Sequence, residues 1–203
     1  MRTPKQTILL SAALLAATAI SLGLVGCTST SSLANQYQQN SGRSGSADGR
    51  VVEIPADQRG TPVSFSGTTE YGKKVSSEDY AGQVYVVNFW YAACGPCIAE
   101  APFLEETWQK YKKDGVKFLG INIYDQPATA IAFAEENGIS YPSVIDVNDG
   151  RVKQAFAGVT PIQATPTTLV MDRQGRVAAR IIGQLESASV LSTLVEDTLK
   201  ETS

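Results

Sequence analysis

Val84 to Trp90 (VYVVNFW) is an unbroken run of β-branched and aromatic residues, the pattern of a strand buried on both faces. Val116 to Ile123 (VKFLGINI) repeats it. Between them, residues 97–113 read as a helix: Leu104, Trp108 and Tyr111 fall at i, i+4 and i+7 on one face, and Asp114-Gly115 closes the segment. Strand, helix, strand implies a parallel pair and an α/β domain. A second helix is expected over 127–137, ending at Asn137-Gly138, with an extended stretch from Ser143 to Val147. Thr167 to Met171 and Arg176 to Ile182 flank Asp172-Arg173-Gln174-Gly175, a hairpin signal with glycine where φ must be positive. Leu191, Leu194, Val195 and Leu199 stripe a last helix, and no internal repeat interrupts the pattern.

Composition narrows the function. The chain has 203 residues, 43% of them apolar, enough for one domain with a core of its own. Its 17 basic and 20 acidic side chains give a formal charge of −3, which offers no positive field for nucleic acid. Histidine is absent, which removes the commonest metal ligand, the usual general base for a nucleophile and any Cys-x-x-Cys-His haem attachment.

Residues 1–26 have the layout of an export signal: Arg2 and Lys5 precede an uncharged, Leu- and Ala-rich stretch from Ile8 to Val25. It ends in Leu24-Val25-Gly26-Cys27, which resembles the bacterial lipoprotein signal, where the cysteine is acylated and becomes the mature N-terminus. The competing reading is a retained transmembrane helix, since about 18 apolar residues can span a bilayer. Either reading tethers the protein, and loss of residues 1–26 leaves a formal charge of −5, unsuited to anionic lipid. Residues 27–49 are rich in Ser, Gly, Gln and Asn and read as a flexible linker with a reach of roughly 25 Å. The domain then occupies residues 50–203. With Cys27 assigned to lipidation, Cys94 and Cys97 remain.

Cys94-Gly95-Pro96-Cys97 sits where the first parallel strand hands over to its helix. The unpaired N–H groups and positive end of that helix favour a thiolate on Cys94, the expected nucleophile. Cys97, one turn in and expected to be less exposed, is the resolving thiol. The alternative for two such cysteines is half of a zinc site, which needs two further ligands; with no histidine and no fourth cysteine the chain does not supply them.

Val86 to Pro102 (VVNFWYAACGPCIAEAP) resembles the active-site segment of the thioredoxin superfamily, and more closely its TlpA/ResA-like extracytoplasmic branch. The likeness covers about residues 60–200. It is carried by Asn88-Phe89-Trp90, by the Cys-Gly-Pro-Cys, by Glu100 and Pro102, and by Thr165-Pro166-Thr167-Thr168 before a strand. The resemblance implies a thioredoxin fold: a central mixed β-sheet flanked by helices, with an N-terminal β-hairpin extension and an insert near residues 125–147. A thiol pKa lowered from about 8.5 to about 7, as in thioredoxin, raises the thiolate fraction at neutral pH from roughly 3% to roughly half. By resemblance Glu100 handles the proton, in place of the buried Asp that thioredoxin has at the position of Asn88. Pro166 is implied to be a cis-proline opposite the disulfide, with Thr165 offering its backbone to substrate and Trp90 and Pro96 on the substrate side. Trp90 and Phe89 also read as core or site wall. Pro102 removes one helical hydrogen bond and is expected to kink the helix. Many relatives have Trp before the first cysteine; this chain has Ala93, which opens the surface beside Cys94.

These features imply a thiol–disulfide oxidoreductase on the extracytoplasmic face of the cell membrane, held by a lipid anchor and needing neither cofactor nor metal. Its partners are expected to be exported protein thiols and disulfides and a membrane-embedded electron donor, with the protein itself a monomer. As a reductant it would serve cytochrome c maturation; as an oxidant it would form disulfides in secreted proteins. A binding or copper-delivery lipoprotein on the same fold is the non-enzymatic alternative, disfavoured by the lack of His and of Met near the cysteines. A thiol peroxidase is a further alternative, but this chain shows no single peroxidatic cysteine in a Thr/Ser-flanked setting.

Overall fold

The structure, a computed structural model, describes Ser46 and residues 48–201. The expected signal segment, Cys27 and the linker to residue 45 lie outside the described residues. Three residues assigned to the linker's end, Ser46, Asp48 and Gly49, form a turn in which the Ser46 N–H donates to Val51 O at 3.0 Å. Among the described residues no helix is long and apolar enough to cross a membrane.

Strands β1 (Val51–Glu53), β2 (Ser66–Thr68), β3 (Lys74–Ser76) and β4 (Tyr85–Trp90) precede helix α1 (Gly95–Tyr111). Then come β5 (Lys117–Asn122), α2 (Pro127–Asn137), β6 (Ser143–Ile145) and α3 (Arg151–Ala157). Strands β7 (Thr167–Met171) and β8 (Val177–Ile182) and helix α4 (Ala188–Lys200) complete the fold. Six strands make one sheet in the order β1-β8-β7-β4-β5-β6, and β2 and β3 pair separately as a hairpin. The expected mixed sheet, N-terminal hairpin and insert are all present; β1 lies outside the hairpin, on the sheet edge beside β8.

Strand β4 is central because every one of its residues is buried. It runs parallel to β5 and antiparallel to β7. Alternation along it divides the core. Tyr85, Val87 and Phe89 face a cluster with Val63, Phe65, Tyr80 and α3's Phe156. Val86 faces Leu104 and Tyr111 of α1 and Leu191, Leu194 and Val195 of α4. Helix α1 runs on through Pro102 without a break, and Gly115 at φ 84° turns the chain into β5. Helix α2 matches its expected span, set by Pro127 in its first turn and Gly138 in the left-handed region at its end.

Two expectations change. The stretch expected to be extended to Val147 stops at Ile145, because Asp146 turns inward and accepts from the Val152 and Lys153 N–H groups at 2.9 and 2.8 Å. That carboxylate caps α3, a helix the sequence pattern did not announce. At the far side, buried Asp172 in the β7–β8 turn accepts from Arg59 Nη1 at 3.0 Å and Arg176 Nε at 2.8 Å. Arg59 also reaches Glu201, so one ion cluster ties together segments distant in sequence.

Candidate redox site

The site lies at the carboxyl end of β4, where the chain leaves the sheet and enters α1. Tyr91 O accepts from the Cys94 N–H at 3.2 Å, closing a turn that delivers Cys94 to the N-cap of α1. Its Sγ accepts from the Cys97 N–H at 3.2 Å, the helix-terminus contact that favours negative charge on this sulfur. Cys94 and Cys97 form a disulfide with S–S 2.04 Å and Cα–Cα 5.2 Å. The two are almost equally covered, at 2% and 3% exposed. The expectation that Cys97 is the more hidden of the pair therefore does not hold in the disulfide form. The Thr165–Pro166 segment covers Cys94, with Thr165 O 3.9 Å from its sulfur.

The Thr165–Pro166 peptide bond is cis. Thr167 Oγ1 donates to Ala164 O at 2.7 Å and the Gly183 N–H to Pro166 O at 2.9 Å, fixing this segment from both sides. Pro96 and Ala93 are exposed on the rim. Trp90 is not on the rim: it is 5% exposed, its ring lies 4.4 Å from that of Phe133, and its indole N–H donates to Ser143 Oγ at 3.2 Å. It packs with Cys94, Cys97 and Ala101 and walls the site from beneath, offering no face to a substrate.

Glu100 is fully buried in α1, three positions past Cys97. Asn88 Nδ2 donates to its Oε1 at 2.8 Å and the Leu185 N–H to its Oε2 at 2.7 Å. Burial pushes its pKa up to about 7, against the lowering effect of those two hydrogen bonds. A carboxyl poised near neutrality can take and return a proton at working pH. The structure thus brings Cys94, Cys97, Glu100, Thr165, Pro166 and Pro96 to one end of the sheet.

A further element of the site was not expected. Asp125 Oδ2 accepts from the Ala92 N–H at 2.6 Å and from Asn122 Nδ2 at 2.9 Å. Asn122 Oδ1 in turn accepts from the N–H groups of Tyr124 and Asp125 at 3.1 and 2.7 Å. The loop after β5 therefore holds the turn that carries Cys94. The available sign was Asn122-x-x-Asp125 at a strand end, a side-chain turn pattern. The Leu185 N–H, a backbone group, had no sign in the sequence.

A family profile described as Redoxin matches residues 54–195. The chain is 34% identical over 119 residues to the thiol-disulfide oxidoreductase ResA of Geobacillus thermodenitrificans, covering 59% of this chain and 66% of that one. It is 34% identical over 130 residues to the ResA of Geobacillus kaustophilus, covering 64% and 72%. The chain thus spans about two thirds of the length of these curated relatives. Among solved structures it is similar to a DsbF homologue from Corynebacterium diphtheriae, with 29% identity and a TM-score of 0.66 over 76% of this chain and 98% of that one. A disulfide at a helix N-terminus, a cis-proline beside it and a matching profile over most of the domain agree, and the chain belongs to the Redoxin family, as a TlpA/ResA-like member of the thioredoxin superfamily.

Proposed function

We propose that this protein is a membrane-anchored, extracytoplasmic thiol–disulfide oxidoreductase that reduces disulfides in exported proteins, as in cytochrome c maturation. The observation that carries the reading is the Cys94–Cys97 disulfide with the buried Glu100 carboxyl one turn further along α1. In the reduced protein the Cys94 thiolate attacks one sulfur of a substrate disulfide, and the other sulfur leaves as a thiol after protonation. Glu100 then takes the proton of Cys97, whose sulfur attacks Cys94 and releases the second substrate thiol. The substrate gains two electrons and two protons, and the protein is left with its own disulfide. A membrane-embedded dithiol donor restores it. Thr165, Pro166 and Pro96 line the approach of the substrate chain, and the lipid on Cys27 keeps a monomeric domain near the donor.

The relatives' name supports thiol–disulfide exchange, and the Gly-Pro between the cysteines favours the reducing direction. An oxidant would use the same atoms at a different potential, where 30 mV is about 1.4 kcal/mol. The test is Cys97→Ser expressed in living cells, which traps a mixed disulfide on Cys94. Capture of apocytochrome, together with a membrane donor, supports the reductant. Capture of secreted proteins awaiting their first disulfide overturns it. Cys94→Ser abolishes exchange, and a Cys97→Ser protein turning over at the native rate would contradict the assigned roles.

A further inference from the structure

Arg50 is the first residue after the expected linker. Its C=O accepts from the Ile182 N–H at 2.8 Å, extending the pairing of β1 with β8 by one residue. Its side chain then grips the segment that follows. Nε donates to Ile182 O at 3.2 Å, Nη2 to Gln184 O at 2.7 Å and Nη1 to Glu186 Oε1 at 3.0 Å. One planar fork thus holds three points along five residues. The ion pair joins side chains 40% and 76% exposed and contributes little by itself. The two carbonyl bonds are partly buried and are the firmer hold.

The same segment turns its other groups to the redox site. The Gly183 N–H donates to Pro166 O, and the Leu185 N–H to Glu100. Carbonyls of 182 and 184 thus go to Arg50 while N–H groups of 183 and 185 go to the site. Gly183, at φ 82°, sits where a Cβ would stand 3.6 Å from Arg50 Nη2, so the guanidinium lies along the backbone there. Leu185 is 1% exposed and belongs to the cluster formed with α1 and α4.

We infer that Arg50 is a positioning residue for Glu100: it holds the 182–186 segment so that Leu185 both covers the carboxyl and donates to it. This gives a residue at the tether end of the domain a hold on the proton-handling group. The groups around Glu100 are consistent with control from this segment. Asn88 approaches from β4 as a neutral donor. Tyr141, ahead of β6, has its hydroxyl pushed up by burial and by the charge of Glu100. Cys97 lies on Glu100's own helix in the disulfide, and Glu186 is the charged side chain beyond Leu185, paired with Arg50.

The test is a carboxyl-carbon NMR titration of the oxidised protein, with the Glu100 signal assigned by its loss in Glu100→Gln. Arg50→Lys keeps a cation for Glu186 but cannot span both carbonyls. The loosened segment admits water, which replaces the N–H and hydrates the carboxyl, so the Glu100 midpoint falls by about half a pH unit or more. Arg50→Ala moves it at least as far. Glu186→Gln removes only the exposed ion pair and leaves the midpoint in place. A midpoint unmoved or raised in both Arg50 variants overturns the inference, whatever happens to the melting temperature. A shift in Glu186→Gln equal to that in Arg50→Lys overturns it too. The inference rests on Glu100 handling the proton, and the two fail separately. If the pH dependence of exchange survives in Glu100→Gln, that role is lost, while the NMR midpoint still decides whether Arg50 positions the carboxyl.

Discussion

Asn88 donates one amide group to two acceptors, Glu100 Oε1 at 2.8 Å and Thr168 Oγ1 at 3.0 Å. A single side chain on the central strand thereby joins the redox helix to the strand that follows the cis-proline. The carboxyl it holds carries the clearest pH consequence among the described residues.

Burial raises the Glu100 pKa from 4.5 to about 7, so the folded chain binds this proton more tightly than the unfolded chain does. The resulting stability is fully present below about pH 4.5 and is lost as pH rises through about 7, by about 3 kcal/mol at most. Glu100→Gln makes urea midpoints fall less steeply across that range. A residual slope comes from Glu70 and Asp146, which burial also pushes up. In exchange assays at neutral pH the same variant is slower by about 100-fold or more. Unchanged slope and unchanged rate together would remove Glu100 from both roles.

Gly120 stands under the site wall. A Cβ there would lie 2.1 Å from Ser143 Oγ and 2.7 Å from Trp90 Nε1. Gly120→Ala therefore breaks the bond between these two side chains and costs about 1–3 kcal/mol. Denaturant melts read the loss, and Trp fluorescence reports the displaced indole. A native-like melt would mean that Ser143 can move aside freely.

Asp125 is expected to matter through its acceptor oxygen, since Oδ2 takes both the Ala92 N–H and the Asn122 amide. Asp125→Ala leaves these donors unpaired, costs about 1–3 kcal/mol and slows exchange by loosening the turn that carries Cys94. Asp125→Asn retains one oxygen and stays close to the native rate. Equal damage from both variants would show that the negative charge, not the hydrogen bond, is what the site uses.

How much of this was open to sequence reading depends on the length of each signal. Strands β4 and β5 are long, apolar and buried almost throughout, so composition alone marks them. Helix α2 is bracketed by Pro127 and Gly138, and its limits follow from local chemistry. Strands β1, β2 and β3 have three residues each, too few to show a period. Helix α3 is seven residues long and its capping carboxylate comes from Asp146, outside the helix, so no local start signal exists. The Cys-Gly-Pro-Cys marks the cysteines by itself, whereas Glu100 and Pro166 are picked out only by the family resemblance. Trp90 reads both as wall and as substrate side, because a strand's last residue can face core or rim, and only the Phe133 and Ser143 contacts put it in the wall. The equal cover of the two cysteines depends on a loop 71 residues away in sequence.

The pairing of β1 with β8 has a bearing on when the protein becomes competent. A chain synthesised from its amino end makes Val51–Glu53 early and their partners, Ile181 to Ala179, late. The cysteines appear midway, but Leu185, whose N–H holds Glu100, arrives only in the closing stretch. Contacts between such distant segments are the slow kind to form, so the hold on Glu100 depends on residues made long after the cysteines. The redox pair and the group that holds Glu100 thus come from separate parts of the chain, and the site is whole only when the closing segment is in place against β1.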